Sequence, residues 1–155
     1  MAKAFRLLVI LVIASGCASE LVLDQDGALA VVPRQFGETG HIIVEVMLDG
    51  KGPYDFALDT GASISVLFAK ALADATIEPI ANRQVHVSGM TGSGHYPMAD
   101  IAEVGVGTEK WHAARVAVLP DDSPIAADLD GILGVDFLSR YAVHYSQQDR
   151  TVRLY

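Results

Sequence analysis

The residues best suited to chemistry in this sequence form one short run, Leu58-Asp59-Thr60-Gly61-Ala62-Ser63. Apolar residues precede Asp59, so a strand would deliver this carboxylate into a tight turn. Two carboxylates held close together cannot both ionise. The ionised one can then take a proton from water while the protonated one polarises a carbonyl. Because the sequence contains a single Asp-Thr-Gly run, such a pair requires two chains.

The residues after Asp59 suit a supporting part in the same loop. The Thr60 hydroxyl can bond to the backbone of a facing loop and lock two turns together. Gly61 allows a close approach of the backbone to a substrate. Ala62 is small enough to leave room, and the Ser63 hydroxyl can reach the main chain of a substrate.

The run from Leu58 to Ser63 resembles the active-site loop of retropepsin-like aspartic peptidases, the single-domain relatives of pepsin. A glycine-rich segment further along looks like the flap that closes over substrate in that family. Its residues are Gly89, Met90, Thr91, Gly92, Ser93 and Gly94. Ile132, Leu133 and Gly134 resemble the apolar segment that packs under the catalytic loop, and the next four residues resemble the short helix that follows it.

This resemblance covers about Ile42 to Tyr155. It implies an all-β, closed β-barrel-like fold with a flap hairpin and one or two short helices. It also implies an aspartic endopeptidase that needs no cofactor, works as a homodimer with one Asp59 from each chain, and acts on a peptide or protein substrate.

The hydrophobic pattern predicts the same fold class independently. Alternating or β-branched runs predict strands, and Asp49-Gly50 predicts a hairpin turn just before the strand that ends at Asp59. The predicted strands are Ala28–Pro33, His41–Leu48, Tyr54–Leu58, Gln84–Val87, Tyr96–Val106, Lys110–Leu119, Ala142–Tyr145 and Thr151–Tyr155. An alanine-rich stretch, Phe68–Ala75, predicts a helix that Glu78-Pro79 closes.

The N-terminal residues predict export rather than folding. Lys3 and Arg6 precede an apolar run and then small residues, which is the pattern of a secretory signal over residues 1–16. Cys17, the only cysteine in the sequence, follows directly and resembles the acylated cysteine of a bacterial lipobox. We therefore expect a lipidated tether over 17–27 and the peptidase domain over 28–155. The alternative is a plain secretory signal with a chance cysteine.

The expected location is the periplasmic side of a bacterial membrane, with the outer membrane slightly favoured because Ala18 follows Cys17. The formal net charge of −8 leaves no basic stripe for nucleic acid, so no nucleic-acid partner is expected.

Other candidate residues are interpreted as structural. Asp130 precedes glycine but no Thr or Ser, so it is not taken as a second catalytic acid. Asp136 is interpreted as the cap of a short helix. The five histidines show no tight ligand spacing and there is no cysteine cluster, so no metal site is predicted.

Two alternatives share the same fold. One is a lipoprotein that binds peptides without cutting them. The other is a half-enzyme whose second carboxylate comes from a different protein.

Overall fold

The computed structural model describes residues 27–33, 35–36, 40–89, 92–122 and 124–155. The predicted signal segment, Cys17, most of the tether, Met90 and Thr91 lie outside these residues. The strands are β1 (Ala30–Pro33), β2 (Gln35–Phe36), β3 (Ile42–Leu48), β4 (Lys51–Leu58), β5 (Val66–Phe68), β6 (Pro79–Gly89), β7 (Gly92–Val106), β8 (Glu109–Leu119), β9 (Gly131–Leu133), β10 (Val143–Ser146) and β11 (Thr151–Leu154). The helices are α1 (Ala69–Ala75) and α2 (Val135–Leu138), with a 3-10 turn over Pro124–Ala127.

Six of the strands close into a barrel in the order β3-β4-β9-β5-β8-β7. Closure comes from antiparallel pairing of β3 with β7, where Met47 lies opposite Gly105 and Leu48 opposite Val104. A second sheet has the order β1-β11-β10. The predicted all-β, closed-barrel fold with two short helices is confirmed.

Alternation along the strands places the core inside this barrel. On β3, the side chains of Val44, Val46 and Leu48 are at most 1% exposed, and the residues between them face outward. Phe137 of α2 is fully buried in the same core, with its ring 5.8 Å from that of Trp111. The aromatic contact holds α2 against the barrel and so fixes the chain just before it.

Helix α1 ends at Ala75 as predicted, because Thr76 adopts a left-handed conformation (φ 59°) and its N–H donates to the Ala73 carbonyl. Two other boundaries differ from the predictions for local reasons. The helix begins at Ala69 rather than Phe68, because Phe68 lies in β5 opposite Leu119 of β8. The strand predicted over Gln84–Val87 extends over the whole of β6, with a register shift between Pro79 and Gln84.

Across the parts of the chain that the structure describes, none of the helices combines the length and the apolar character needed to span a bilayer.

Candidate active site

The Asp59 loop joins two strands that are not neighbours. It leaves β4 at Leu58 and enters β5 at Val66, and β9 lies between these two strands. Strand β9 runs parallel to β4, with Leu58 opposite Leu133, and antiparallel to β5, with Val66 opposite Ile132. The Asp59 N–H donates to the Leu133 carbonyl at 3.0 Å. The segment predicted to pack under the loop, Ile132-Leu133-Gly134, therefore does so.

Gly134 allows the loop and the underlying strand to come this close. A Cβ at this position would lie 2.7 Å from the Ala62 carbonyl oxygen and 2.8 Å from the Ile64 carbonyl carbon. Both contacts are to backbone, which cannot rotate away. The next residue, Val135, donates its N–H to the same Ala62 carbonyl at 2.8 Å. Any side chain at position 134 would therefore push the Asp59 loop outward.

A buried hydrogen-bond network joins the loop to α2. The Ser65 N–H donates to Asp136 Oδ2 at 2.9 Å, and its hydroxyl donates to Asp136 Oδ1 at 2.6 Å. The Ser65 Oγ also accepts the Gly134 N–H at 3.0 Å. Ser65 is fully buried, so its polar groups must find partners within the protein.

The interpretation of Asp136 as the helix cap is wrong. The N-cap residue of α2 is Gly134, and it makes no side-chain cap bond. Asp136 lies in the first turn, where its carboxylate accepts from Ser65 and from the Phe137 N–H at 2.9 Å. It is therefore a structural residue that ties α2 to the Asp59 loop.

The loop presents the Asp59 carboxylate at the surface with one oxygen fixed. The Gly61 N–H donates to Asp59 Oδ1 at 2.7 Å. Asp59 is half-buried, and Thr60, Gly61 and Ser63 are exposed. Among the described residues, no further hydrogen bond to this carboxylate is found. The group is held in orientation by backbone and is open to a second partner.

Asp130 lies at the other end of β9 and is engaged there. Its Oδ2 accepts the Asp55 N–H at 2.9 Å, and Lys70 Nζ lies 3.6 Å from its Oδ1. Burial and then the charge of Asp130 raise the pKa of the Asp55 carboxyl. Asp130 therefore supports the strand rather than facing Asp59, in agreement with its structural interpretation.

A mostly apolar cavity of about 300 Å³ opens beside Asp59. It is lined by Ile42, Leu58, Asp59, Thr60, Leu138, Val143 and Tyr145. Asp59 is the one carboxylate in this lining. Val143 and Tyr145, on β10, are 39% and 56% exposed. The carboxylate of Asp59, the only one that the described residues place in this cavity, thus lies next to an apolar surface.

The predicted flap is the end of a two-stranded ribbon, Gln84–Gly89 paired with Gly92–Pro97. The third strand, β8, pairs with β7 only from Met98 onward, so the ribbon projects beyond the barrel. Val85 and Val87 on its inner face pack against the same apolar cluster as Ile64 and Ile132. The ribbon, the Asp59 loop and β9 thus contact one apolar cluster.

The spacing of residues in the sequence did not predict one pair of side chains that lie together on this ribbon. His86 and His95 are directly opposed across β6 and β7, with ring centroids 5.1 Å apart. Only the register of the hairpin brings them together. Over the described ranges there is no group of three or more His, Cys, Asp or Glu side chains placed to hold a metal ion.

The barrel, the strand between β4 and β5, and the Asp-Thr-Gly loop together define a retropepsin-like aspartic peptidase fold. The family model described as aspartyl protease matches residues 44–137, and the chain belongs to that family. This range contains the loop, the ribbon and α1, and it ends within α2.

Solved structures support the same fold. A retropepsin-like aspartic protease from Rickettsia conorii superposes with a TM-score of 0.56 at 16% identity, covering 80% of this chain and 87% of that one. The EIAV protease complexed with the inhibitor HBY-793 superposes with a TM-score of 0.50 at 20% identity, covering 68% and 92%. No curated protein sequence matches this chain.

Proposed function

We propose that the protein is an aspartic endopeptidase whose active site forms when two identical chains bring their Asp59 carboxylates together. The observation that carries this proposal is the geometry of Asp59 itself. One of its oxygens is fixed by the Gly61 N–H at 2.7 Å, and the carboxylate opens onto an exposed loop. Membership of the aspartyl protease family supports peptide hydrolysis as the reaction.

In this mechanism the two carboxylates share one proton and titrate as a pair. The ionised one takes a proton from a water molecule, and that water attacks the scissile carbonyl. The protonated one donates a hydrogen bond to the carbonyl oxygen as negative charge develops there. The loops need only hold the two groups and the water in place, so no cofactor enters. Thr60, exposed beside Asp59, bonds to the facing loop of the second chain.

The surface next to Asp59 suits a second copy of the chain. The apolar cavity and the exposed side chains of Val143 and Tyr145 lie beside the carboxylate. Within the described residues, strand β10 lies at the edge of its sheet, next to β11. A sheet edge next to an apolar patch favours association, and a two-fold axis would place the same patch on both partners.

The substrate in this proposal is an extended peptide that adds as a strand between the ribbon and the loops. The half-buried apolar side chains shared by these elements, Val87, Ile64 and Ile132, would contact the residues that flank the scissile bond. Closure of the two ribbons over the peptide then excludes water from the reaction.

We further propose that the protein is exported and lipidated at Cys17, and is held at the periplasmic side of a bacterial membrane. The charged and apolar order of residues 1–16 and the position of the single cysteine support this. Anchoring two chains on one surface raises their effective concentration and so favours the dimer. Radiolabelled palmitate should enter the wild-type chain in bacterial cells and should not enter a Cys17→Ser chain.

The direct test of catalysis compares three purified proteins on a library of unstructured peptides. The wild-type chain should cut, Asp59→Asn should not, and Asp128→Asn should cut like the wild type because Asp128 is exposed and lies outside the site. Cleavage by pure Asp59→Asn protein would contradict the assignment. Sedimentation of each variant checks that all three assemble alike.

A mixing experiment tests whether one active site needs two Asp59 residues. If wild-type and Asp59→Asn chains pair at random in equal amounts, about a quarter of the dimers keep both carboxylates. Activity should then fall below that of the same wild-type chains alone. Unchanged activity would favour a site completed by another protein, and binding without cutting would favour a non-catalytic module.

A further inference from the structure

We propose that His86 and His95 form a binding site for a late first-row divalent metal ion, such as Zn²⁺, on the outer face of the flap ribbon. The two residues are directly opposed in antiparallel β6 and β7, and their ring centroids are 5.1 Å apart. Imidazole nitrogen is a preferred ligand for Zn²⁺, Cu²⁺ and Ni²⁺. Two rings this close can both direct a nitrogen at one ion, with water completing its coordination.

The ladder of the ribbon determines which face carries these rings. Side chains alternate along each strand, so Val85 and Val87 turn inward to the apolar cluster while His86 turns outward. Both histidines are exposed, so an ion can reach them from solvent. The next pair on the same face, Ser88 and Ser93, is joined by a hydrogen bond of 2.9 Å between the hydroxyls. This hydrogen bond, on the side nearer the tip of the ribbon, helps to maintain the register that places the two imidazoles opposite each other.

The ribbon is also the part of the sheet that would gain most from a clamp. From Gln84 to Gly89 it has only two strands, because β8 joins the sheet at Met98. A two-stranded hairpin is marginally stable in water by itself. An ion bound to both His86 and His95 would link the strands and stabilise the ribbon, and this stabilisation would rise with the logarithm of the ion concentration above the dissociation constant.

The charge of the protein favours such an ion. The formal net charge is −8, which raises the local concentration of cations around the molecule. The proposed metal site does not depend on the proposed peptidase activity, so it is tested by measuring metal binding rather than peptide cleavage.

The test is calorimetric titration of the full chain with Zn²⁺, using Cys17→Ser in every protein so that no thiolate competes. The wild-type histidines should bind one ion per chain, and Mg²⁺ should not bind. His86→Gln and His95→Gln should each weaken Zn²⁺ binding by at least about tenfold, since loss of a ligand costs more than loss of a supporting residue.

The matched control is His112→Gln. His112 is also exposed, and its Nδ1 lies 3.7 Å from Glu103 Oε2, so it tests for general binding at a surface histidine. The His112→Gln variant should bind Zn²⁺ with the affinity of the wild type.

A second measurement, amide hydrogen exchange over Val85–Gly94, should slow when Zn²⁺ is added to the wild type and not to His95→Gln. Wild-type affinity in both flap variants, or an equal loss in the control, would overturn the proposal. Absence of saturable binding by the wild type would also overturn it.

Discussion

The hydroxyl of Ser65 donates a 2.6 Å hydrogen bond to the carboxylate of Asp136, and these two residues are 71 positions apart in the chain. Through this bond the end of the Asp59 loop is fixed to the helix after β9. Ser65 is fully buried, and its oxygen also accepts the Gly134 N–H. The position of Asp59 therefore depends on polar contacts made six residues later.

Replacing Ser65 by Ala should destabilise the protein by about 1–3 kcal/mol, because the buried Gly134 N–H loses its acceptor. Urea denaturation at a fixed chain concentration measures this change. Ser63→Ala is the control, since Ser63 is exposed and should change the free energy of unfolding little. Equal effects of the two substitutions would show that the buried network contributes nothing.

Replacing Gly134 by Ala should displace the Asp59 loop. The new Cβ would lie 2.7 Å from the Ala62 carbonyl oxygen, and relieving this overlap should cost about 1–3 kcal/mol. We expect lower stability and, if Asp59 is catalytic, a larger loss in kcat than in substrate affinity. Gly105→Ala is the matched control, because a Cβ there would lie 3.5 Å from Met47 Cβ, an ordinary contact, and Gly105 lies outside the loop and the flap. A Gly134→Ala protein with wild-type stability and rate would refute the close approach.

Replacing Tyr145 by Asp should separate assembly from folding. Tyr145 is 56% exposed beside the Asp59 cavity, so a charge there should leave the single chain folded and disrupt pairing with a second copy. Sedimentation should show a monomer without peptidase activity. Met47→Asp is the control, since Met47 is also partly exposed but lies outside this cavity. A fully active Tyr145→Asp dimer would move the interface elsewhere.

The buried tyrosine Tyr54 predicts a loss of stability in alkali. Burial, and then its hydrogen bond to Asp74, raise the pKa of its hydroxyl from 10.0 to about 12. Because the folded state raises this pKa, the stabilisation is complete below about pH 10 and is lost as pH rises through about 12.

Urea denaturation across this range should show a shallower decline for Tyr54→Phe than for the wild type. Tyr54→Phe should also be less stable at neutral pH, since the bond to Asp74 is lost. Burial raises the pKa of Tyr141 as well, so Tyr141→Phe should flatten the decline further. An unchanged slope in both variants would show that neither tyrosine contributes to alkaline unfolding.

Local patterns were enough to predict the parts of the site that are continuous in sequence. The apolar strand before Asp59 follows from the hydrophobic pattern, and the place of Ile132, Leu133 and Gly134 under the loop was implied by the family resemblance. The structure explains the glycines at 131 and 134, since side chains there would overlap the Phe56 ring and the loop backbone.

The features that the sequence did not predict depend on partners distant in the chain or on register. Asp136 was assigned to a cap because an acidic residue in a first turn looks the same whether it binds its own helix or Ser65. The number of residues between His86 and His95 matches no metal-ligand motif. A hairpin brings them together through the register of its two strands, which that number alone does not reveal. Phe68 was included in the predicted helix but lies in β5, because it pairs with Leu119 of β8, a partner that helix propensity does not identify.

The insertion of β9 between β4 and β5 also determines the stage of chain synthesis at which the Asp59 loop can fold. The backbone N–H of Asp55 donates to the side chain of Asp130, which is 75 residues later in the chain. The loop before Ser65 therefore lacks the support of β9 until the last part of the chain is synthesised. Such distant pairing forms late and slowly compared with local turns. A nascent or shortened chain that ends before Gly131 therefore carries Asp59 on an unsupported turn, and the fold itself delays any hydrolytic activity until synthesis of the domain is nearly complete.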